Sequence, residues 1–406
     1  MIETLSREAA IVGIGHTEMR NPEGRSGMSL YLEAIKRAME EAQLTKSDID
    51  GFLVYPPNGS MRFHTELTEQ MGSANFGKSL CDFPLVGGLM VGLAINKARS
   101  AVYHDQCKNV VVVGGGTWRS TSHRTPIGLS GVDLSESIYH SREPISMEYE
   151  FPYGLHLPAL AALVTQRHMH EFGTTSEQLA AIAVAARKHA ALNERALLRD
   201  PITVDDVLGS RMIAEPLHLL DCSYIADGAS AFIVTSAERA RDAVQEPVWI
   251  LGSGQAQSFQ HMGHLCRGSD SDFDLVRTVG RIAAEQAFTQ AGLSPEDVDV
   301  AELNDSFTTT VLLQLEDYGF CEKGEAGDFV ADGRLELGGA LPLNTHGGLL
   351  SEGDNGLGNS IPALIEAVTQ LRGDAGDRQV EGAEVAMVSG VSESLSSYSV
   401  ALLGRN

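Results

Sequence analysis

The feature of this sequence that most constrains its fold is an internal repeat. Segments 34–50 and 283–299 both carry alanine at their first, fifth and ninth positions, and both then run through Leu-Thr or Leu-Ser to Asp-Ile-Asp or Asp-Val-Asp. Alanines at this spacing lie on one helical stripe of small side chains, which can pack closely on a sheet. The repeat predicts two similar halves, each with a helix packed against strands.

A strand ending in Gly-x-Gly precedes each repeated helix, at 9–15 and at 248–254. Further along each half, apolar runs at 110–116 and 384–390 also end in glycine. Continuous apolar runs that alternate with amphipathic helices are typical of βαβ units and of mostly parallel sheets. The sequence therefore predicts a duplicated α/β fold.

The length of 406 residues fits two domains with a core each. We place the first half at 1–240 and the second at 241–406, with an insertion in the first half at about 117–215. The insertion begins with a polar stretch, 118–150, which is rich in Ser, His and Arg and is expected to form long loops; a helical stretch follows. Long loops inside a compact domain are commonly functional, so we expect the insertion to cover a pocket.

The charge and the cysteines exclude several classes of protein. The chain has 54 Asp and Glu against 30 Lys and Arg, a formal charge of −24, so most of its surface repels nucleic acids and anionic membranes. It has no uncharged apolar stretch long enough to span a bilayer, and its first residues lack the pattern of a targeting segment. Five cysteines without a Cys-x-x-Cys pair indicate reduced thiols. These features predict a cytoplasmic protein that binds neither nucleic acid nor membrane.

Five short motifs follow one another along the chain. They are Arg187-Lys-His-Ala190, the segment 213–231 with Asp-Cys-Ser-Tyr and Asp-Gly-Ala-Ser-Ala, Asn304-Asp-Ser-Phe307, Leu341-Pro-Leu-Asn-Thr-His-Gly-Gly348 and Gln370-Leu-Arg-Gly373. In order and spacing, and over nearly the whole chain, they resemble the thiolase superfamily. Within it, they are most similar to the branch of sterol-carrier-type thiolases and lipid-transfer proteins.

The resemblance implies a fold of five layers (αβαβα) with two central mixed β-sheets, and a homodimer formed through the first half. It implies a coenzyme A (CoA) thioester as substrate, no covalently bound cofactor, and acyl chemistry where the two halves meet. Members of the branch often work with a small partner of the DUF35 type, which has an oligonucleotide/oligosaccharide-binding (OB) fold. Helix N-termini that converge between two α/β units can supply N–H donors to an oxyanion, which agrees with such a site.

The position of the thiolase nucleophile departs from the family pattern. That nucleophile is a cysteine at a helix N-terminus, where the helix dipole favours the thiolate. A gapless register with the family puts Leu89 at this position. Cys81 stands upstream in Ser-Leu-Cys-Asp-Phe-Pro, where the proline indicates a loop. Cys81 is a nucleophile only if a shifted loop carries it to the site; otherwise it is a structural or solvent-facing thiol.

Two further positions depart from the pattern. Asp354 stands where thiolases have the histidine of Gly-His-Pro, which donates to the thioester oxygen. An ionised carboxylate beside an enolate oxygen would raise the barrier, so Asp354 does not simply replace that histidine. The C-terminal loop 389–398 lacks the second Cys or His with which relatives handle the α-proton. The resemblance therefore implies a thiolase scaffold without the thiolase catalytic set.

Three polar residues remain as catalytic candidates. Asn304 keeps the first residue of the family's Asn-Glu-Ala-Phe-type motif and is either an oxyanion donor or a turn residue. His346 either exchanges a proton near neutral pH or is structural. Asp354 is a general base if it is poorly solvated, or an exposed turn residue. The retro-aldolases of the branch have tyrosines at the positions of Asn304 and Asp354, which implies Asp354 or His346 as base and Asn304 as donor.

Other residues are candidates for binding the substrate. Gly347 and Gly348 permit the backbone to approach a ligand closely. His156 lies where the branch has pocket-lining residues. Arg187, Lys188 and Arg211 can offset the phosphates of CoA. A solvated helix face is the alternative for all three, and for Arg187 it is the favoured one.

Two motifs that could indicate a metal or a dinucleotide site are not expected to bind either ligand. The segment 261–266 has two histidines and a cysteine, but their spacing matches no standard zinc set, so we expect no metal. The glycines at 13–15 and 114–116 lack the complete Gly-x-Gly-x-x-Gly context of a dinucleotide site.

The function that this pattern favours is carbon–carbon cleavage of a bulky, steroid-like β-hydroxyacyl-CoA. Such a retro-aldol reaction needs a base and an oxyanion donor but no covalent acyl-enzyme. One alternative is acyl transfer of the acetyl-CoA acetyltransferase type, with Cys81 as nucleophile. The other is a subunit that binds acyl-CoA or lipid without catalysis.

Overall fold

The computed structural model describes residues 7–20, 23–55, 61–72, 80–82, 90–122, 153, 155–258, 273–356, 358–392 and 395–405. Within them the chain alternates strands and helices from Ala9 to Gly404. Leu89, most of the polar stretch 118–150 and the segment 261–266 lie outside the described residues.

The strands form a large sheet that repeats one arrangement twice. They are β1 (Ala9–His16), β2 (Gly51–Tyr55), β3 (Leu80–Asp82), β4 (Asn109–Thr117), β5 (Met212–Ala214), β6 (Leu217–His218), β7 (Asp227–Ser236), β8 (Val248–Gln257), β9 (Val300–Glu302), β10 (Val385–Ser392) and β11 (Ser397–Gly404). In the first half, β7 is antiparallel to its neighbours β1 and β4, and β2 is parallel to β4 and β3. In the second half, β11 is antiparallel to β8 and β10, and β9 is parallel to β10.

The sheets of the two halves meet at one edge. The order of the strands is β3-β2-β4-β7-β1-β8-β11-β10-β9, with β5 and β6 in a separate hairpin. Within this ladder of described strands, β1 and β8 join the two halves through the pairs Ala10–Trp249 and Ile11–Val248. The sequence predicts two sheets, and this short antiparallel pairing joins them into one ladder.

The helices lie between and outside these strands. They are α1 (Gly27–Glu41), α2 (Met61–Met71), α3 (Met90–Tyr103), α4 (Trp118–Ser122), α5 (Leu157–Phe172), α6 (Ser176–Ala191), α7 (Val204–Gly209), α8 (Ala237–Ala240), α9 (Gly280–Ala291), α10 (Thr308–Asp317), α11 (Ala326–Phe329), α12 (Gly348–Ser351) and α13 (Ser360–Arg372). The polar stretch thus begins with the short helix α4 rather than with a loop. Helices α5 to α7 belong to the predicted insertion.

Three buried clusters define five layers. One packs α1 and α2 on the outer face of the first sheet, and another packs α9, α10 and α6 on the outer face of the second. The third joins α3 and α13 to strand residues of both sheets, so these two helices form the central layer. Strand residues alternate between clusters, as where Val111 of β4 joins α1 while Val110 joins the central helices. The αβαβα arrangement is confirmed.

The repeated alanines pack against the repeated glycines. A β-carbon on Gly13 of β1 would lie 2.5 Å from the carbonyl oxygen of Ala38 in α1, and one on Gly252 of β8 would collide with the carbonyl of Ala287 in α9. In both halves the helix therefore lies so close to the strand that only glycine fits beneath it. This shared contact is the physical reason for the repeat.

The two halves also touch at the end of β4. A β-carbon on Gly358 would collide with the backbone of Gly114, and one on Gly356 would collide with the ring of Trp118. The loop before α13 thus rests directly on the C-terminal end of a strand from the first half. The predicted boundary between the halves, near residue 240, stays a prediction.

Two expectations from composition concern the described residues. None of their helices is long and apolar enough to cross a membrane. Of the five cysteines in the sequence, the side chains of three are described: Cys107 is buried, and Cys222 and Cys321 are free thiols.

Candidate active site

Asn304 presents an open hydrogen-bond donor. It follows β9, and its Oδ1 accepts from the backbone N and from Oγ of Ser306 at 3.2 and 2.8 Å. A backbone N–H can only donate, so the amide atom that faces Ser306 is the oxygen. The Nδ2 atom therefore points elsewhere; it is buried and has no hydrogen-bond partner among the described residues. A buried donor without a partner costs about 1–3 kcal/mol, which a ligand oxygen would recover.

The backbone of Asn304 is fixed from two sides. Its carbonyl oxygen accepts from Nε2 of Gln314 at 2.6 Å and from Oγ1 of Thr310 at 2.9 Å, both on α10. Its N–H donates to Oγ of Ser389 on β10 at 3.1 Å, and that hydroxyl donates to Oε1 of Gln314 at 2.5 Å. The donor is thus held in place before any substrate arrives, as stabilisation of a developing charge requires.

Asp354 is half-buried in a loop that is paired with a neighbouring segment. Its N–H donates to the carbonyl of Tyr224 at 2.8 Å, and its carbonyl accepts from the N–H of Ala226 at 2.7 Å. Its carboxylate accepts from the N–H of Gly356 at 2.9 Å and from Oγ of Ser223 at 3.2 Å. Burial raises the pKa of Asp354, and these donors only partly oppose it. A raised pKa suits a general base that works near neutral pH.

One short chain of hydrogen bonds joins Asp354 to Asn304. Oγ of Ser223 donates to Asp354, and the N–H of Ser223 donates to the carbonyl of Ser306 at 2.9 Å. Ser306 in turn donates to Asn304. The structure therefore brings together two of the three predicted catalytic residues. Ser223 was not predicted as part of the site, because it lies 131 residues before Asp354 and no local spacing signals the contact.

His346 is held between two carboxylates. Its Nδ1 lies 2.7 Å from Oε2 of Glu302 and its Nε2 lies 3.6 Å from Oε2 of Glu352, and all three side chains are buried. Burial by itself lowers the pKa of His346, but the two carboxylates outweigh it and raise the pKa to about 9. The ring is therefore an imidazolium at neutral pH and has no lone pair with which to accept a proton.

The charges around His346 continue into the first half. Oε1 of Glu352 accepts from Nε of Arg195 at 3.1 Å, and Nη1 of Arg195 lies 2.8 Å from Nε2 of His16. The buried carboxylate of Glu366 accepts from Nη2 of Arg378 at 3.0 Å. Burial, together with the charge of Arg195, lowers the pKa of His16 to about 4, so its ring is neutral and can accept from Arg195. We call Glu302, His346, Glu352, Glu366, Arg195 and Arg378 the His346 ion cluster.

At Gly347 and Gly348, other protein atoms occupy the space that a β-carbon would need. Their φ angles are +106° and +63°, which favour glycine. A β-carbon on Gly347 would lie 2.7 Å from that of Ala190, and one on Gly348 would collide with the carboxylate of Asp305. That carboxylate accepts from the N–H of Leu349 at 2.7 Å at the start of α12, and burial raises the pKa of Asp305 to about 6. The glycines allow the tight fold of this loop, and their predicted contact with the ligand is not tested.

His156 and Arg211 lie in the insertion. Nδ1 of His156 accepts from the N–H of Ala159 at 3.1 Å, so the ring caps the N-terminus of α5. Arg211 is exposed next to β5. None of the described contacts of either residue reaches Asn304 or Asp354.

Lys188 and its neighbour Arg187 face different surroundings on α6. Nζ of Lys188 lies 2.6 Å from Oε1 of Glu336 in an exposed ion pair. We expected Arg187 on a solvated face as well, but it is only 6% exposed, and its Nε donates to Oγ of Ser351 at 2.9 Å. Because this bond ties α6 to α12, Arg187 is a structural residue rather than a solvated one.

The described cysteines near the site do not replace the thiolase nucleophile. The backbone of Cys81 lies in the edge strand β3, paired with Phe52, and not in the loop predicted from its proline; its side chain lies outside the described part of the structure. Cys222 pairs with Phe307, close to Asn304, and burial raises the pKa of its thiol to about 12. A thiol with this pKa stays protonated at neutral pH and is a poor nucleophile.

Metal binding has no support in the described residues. They contain no group of three or more His, Cys, Asp and Glu side chains that could hold an ion. The histidines and the cysteine of segment 261–266 lie outside the described residues.

Comparison with known proteins gives consistent matches. A family model described as "Thiolase C-terminal domain-like" matches residues 260–405. The chain is 37% identical over 396 residues to the steroid side-chain-cleaving aldolase of Thermomonospora curvata, and the alignment covers 96% of each chain. It is 38% identical over 377 residues to the 17-hydroxy-3-oxo-4-pregnene-20-carboxyl-CoA lyase of Mycobacterium tuberculosis, covering 91% of this chain and 92% of the relative. The solved structure of an Ltp2-ChsH2(DUF35) aldolase matches with a TM-score of 0.82 at 32% identity, over 99% of both chains.

Proposed function

This chain belongs to the thiolase superfamily, in the branch that resembles sterol carrier protein 2, and we propose that it is a lyase that cleaves a β-hydroxyacyl-CoA by a retro-aldol reaction. The observation that carries the proposal is the open Nδ2 donor of Asn304, connected through Ser306 and Ser223 to the carboxylate of Asp354. A donor for an oxyanion and a nearby base are what this reaction needs.

In the proposed reaction Asp354 is the base. Its carboxylate removes the proton of the β-hydroxyl group, and the C–O bond becomes the carbonyl of the released ketone or aldehyde as the Cα–Cβ bond breaks. The electron pair of that bond passes into the thioester and forms an enolate, whose oxygen accepts from Nδ2 of Asn304. Asp354 then returns the proton to Cα, which gives a shortened acyl-CoA and restores the carboxylate.

His346 was the other candidate for the base. Both of its ring nitrogens face carboxylates, and its pKa is raised to about 9. We therefore assign the base to Asp354 and give His346 a supporting role, in which it holds the loop that carries Asp354.

The substrate that we propose is a CoA thioester with a bulky, steroid-like acyl group. Two relatives, a steroid side-chain-cleaving aldolase and a 17-hydroxy-3-oxo-4-pregnene-20-carboxyl-CoA lyase, support this class. For the phosphates of CoA we propose Arg211 ahead of Lys188, because Lys188 is already paired with Glu336. His156, Gly347 and Gly348 stay candidates for contacts with the substrate.

A second protein is part of the proposal. The matched structure is a complex with a DUF35 protein, which supports an OB-fold partner of that type for this chain. The homodimer and the cytoplasmic location stay predictions from the sequence.

The test is a product analysis with two substrates. The purified chain, alone and with a DUF35 protein, is mixed with a steroid β-hydroxyacyl-CoA or the matching β-ketoacyl-CoA, with and without free CoA. We expect ketone or aldehyde and shortened acyl-CoA from the hydroxy substrate without free CoA. Cleavage of the keto substrate that depends on free CoA would instead establish thiolysis, and binding without any product would establish a non-catalytic subunit.

A further inference from the structure

Asn355, the residue after the proposed base, has a carboxamide without partners. Its side chain is 0% exposed, and neither Nδ2 nor Oδ1 has a hydrogen-bond partner in the part of the chain that the structure describes. Most buried polar groups in folded proteins are paired. A wholly unpaired buried amide lowers the stability of a protein, so its presence needs a reason other than stability.

The surroundings of Asn355 place it at the junction of the two halves. The N–H of Gly356 donates to Oδ1 of Asp354 at 2.9 Å, which makes a tight turn with Asn355 at its corner. Gly356 packs on Trp118 of the first half, and the carbonyl oxygen of Asn355 lies 3.5 Å from where a β-carbon of Gly116 would stand. Asn355 therefore directly follows the base in this turn, and its backbone lies against the end of β4.

Two more polar groups near this turn are open. The side chain of Asn359 donates to the carboxylate of Asp354, but its Oδ1 has no partner among the described residues. The hydroxyl of Ser360, which is 2% exposed, has none there either. Ser360 begins α13, a helix of 13 residues whose first N–H groups carry a partial positive charge. Neutral donors and acceptors thus surround the base.

This set fits a hydroxyl group better than an ion. A carboxamide can donate to an oxygen through Nδ2 and accept a proton through Oδ1, which matches a group that both donates and accepts. A phosphate or a carboxylate would meet two open acceptor oxygens, on Asn355 and Asn359, and the carboxylate of Asp354. These acceptors make the site less suited to an anion than to a hydroxyl group.

We propose that Asn355 binds the β-hydroxyl oxygen of the substrate and thereby selects β-hydroxyacyl thioesters. The inference rests on the proposed function. As Asp354 removes the hydroxyl proton, Nδ2 of Asn355 donates to the oxygen, which becomes the carbonyl oxygen of the departing ketone or aldehyde. Because the side chain has no exposed surface without ligand, the turn between Gly353 and Gly356 shifts to admit the oxygen.

The first test is the stability of Asn355→Leu, a change of similar volume. If the carboxamide serves a ligand, its removal keeps or raises the free energy of unfolding, because an unpaired polar group leaves the interior. The matched control is Asn193→Leu. Asn193 is also buried, but its Nδ2 donates to the carbonyl of His346 at 2.7 Å and its Oδ1 accepts from the N–H of Arg195 at 3.1 Å. We expect this control to lower stability.

The second test is binding of two thioesters, a β-hydroxyacyl-CoA and the same acyl-CoA without the hydroxyl. We expect the wild-type protein to prefer the hydroxy ligand by about tenfold, the value of one good hydrogen bond. Asn355→Leu should lose this preference and bind the deoxy ligand as before. Turnover of the hydroxy substrate should fall with it.

The outcomes separate this inference from the proposed function. If Asn355→Leu keeps the hydroxyl preference and full turnover, Asn355 does not bind the hydroxyl group and the inference is overturned. If the wild-type protein does not cleave the hydroxy substrate, yet the variant loses the preference, the lyase proposal fails and the assignment of Asn355 stands. A large loss of stability in Asn355→Leu would make the residue structural, which also overturns the inference.

Discussion

Two groups of polar residues, around His346 and around Asp354, differ in whether side chains of opposite charge pair with one another within the protein. In the His346 ion cluster, side chains of opposite charge lie next to each other. His346 lies between Glu302 and Glu352, and Glu352 accepts from Arg195. Around Asp354, by contrast, Asn304 keeps an open buried donor. Charges that pair with one another inside the protein hold its shape, whereas a neutral buried donor without a partner can bind an oxygen of a ligand. The comparison assigns structure to the first group and chemistry to the second.

The strongest test of this division is to remove the base. Asp354→Asn keeps the shape and the hydrogen bond from Gly356 but cannot take a proton. Because general base catalysis typically contributes about 100- to 10,000-fold, we expect kcat to fall by that factor while the Kd for acyl-CoA stays unchanged. Steady-state kinetics and a binding titration measure both, with the exposed Asp242→Asn as control. A normal kcat would remove Asp354 from the mechanism.

A second substitution removes only the open donor. Asn304→Asp keeps an oxygen for Ser306 but replaces Nδ2 with a second acceptor that faces the enolate. Loss of one oxyanion donor costs about 100- to 1,000-fold in kcat, so we expect a fall of at least this size in turnover per folded molecule. Asn304→Ser, which can still donate, should recover part of the rate. If Asn304→Asp retained full turnover, the open donor would have no role in the reaction.

The ion cluster predicts a pH dependence of stability rather than of rate. The pKa of His346 is raised from 6.5 to about 9 in the folded chain, so between these values the folded state binds more protons than the unfolded state. This contribution to stability is complete below pH 6.5 and is lost as the pH rises through about 9. Urea unfolding at several pH values measures the slope. His346→Gln should flatten it, and an equal slope in that variant would assign the effect to other groups.

The smallest effect on turnover is expected from substituting Cys81, the residue that acyl transfer would use as its nucleophile. Cys81 lies in strand β3, ahead of the helix α3 that begins at Met90. A retro-aldol cleavage forms no acyl-enzyme, so Cys81→Ala should leave kcat unchanged, and the mass of the intact protein should show no acyl adduct during turnover. An adduct on Cys81, or loss of turnover in the folded variant, would restore acyl transfer.

Much of the fold follows from the sequence, because short-range patterns determine it. The glycine and alanine repeats predict the contact of β1 with α1 and of β8 with α9, and the resemblance predicts the five layers. The pairing of Ala10 with Trp249 at the edge between the two halves was not predicted, because a ladder of only two residue pairs leaves no pattern in the sequence. Cys81 was expected in a loop because of the nearby proline, yet pairing with β2 draws it into a strand.

The candidate site was predictable only where a motif marks it. Asn304 and Asp354 stand out because they keep or replace family residues. The partners of His346 did not, since Glu302 precedes it by more than forty positions and acidic residues are common in this chain. Asn355 gave no signal in the sequence either, because an amide in a Gly-Asp-Asn-Gly turn is ordinary until its burial and lack of partners are known.

The most direct measurement compares His346→Gln with Asp354→Asn, in turnover per folded molecule and in the free energy of unfolding. Breaking a buried ion pair by removing one partner costs about 3–5 kcal/mol, so His346→Gln should lose stability of this size and keep most of its turnover. Asp354→Asn should keep its stability and lose most of its turnover. If His346→Gln instead kept its stability and lost turnover by about 100-fold or more, as a catalytic base does, the division between the two groups would be wrong.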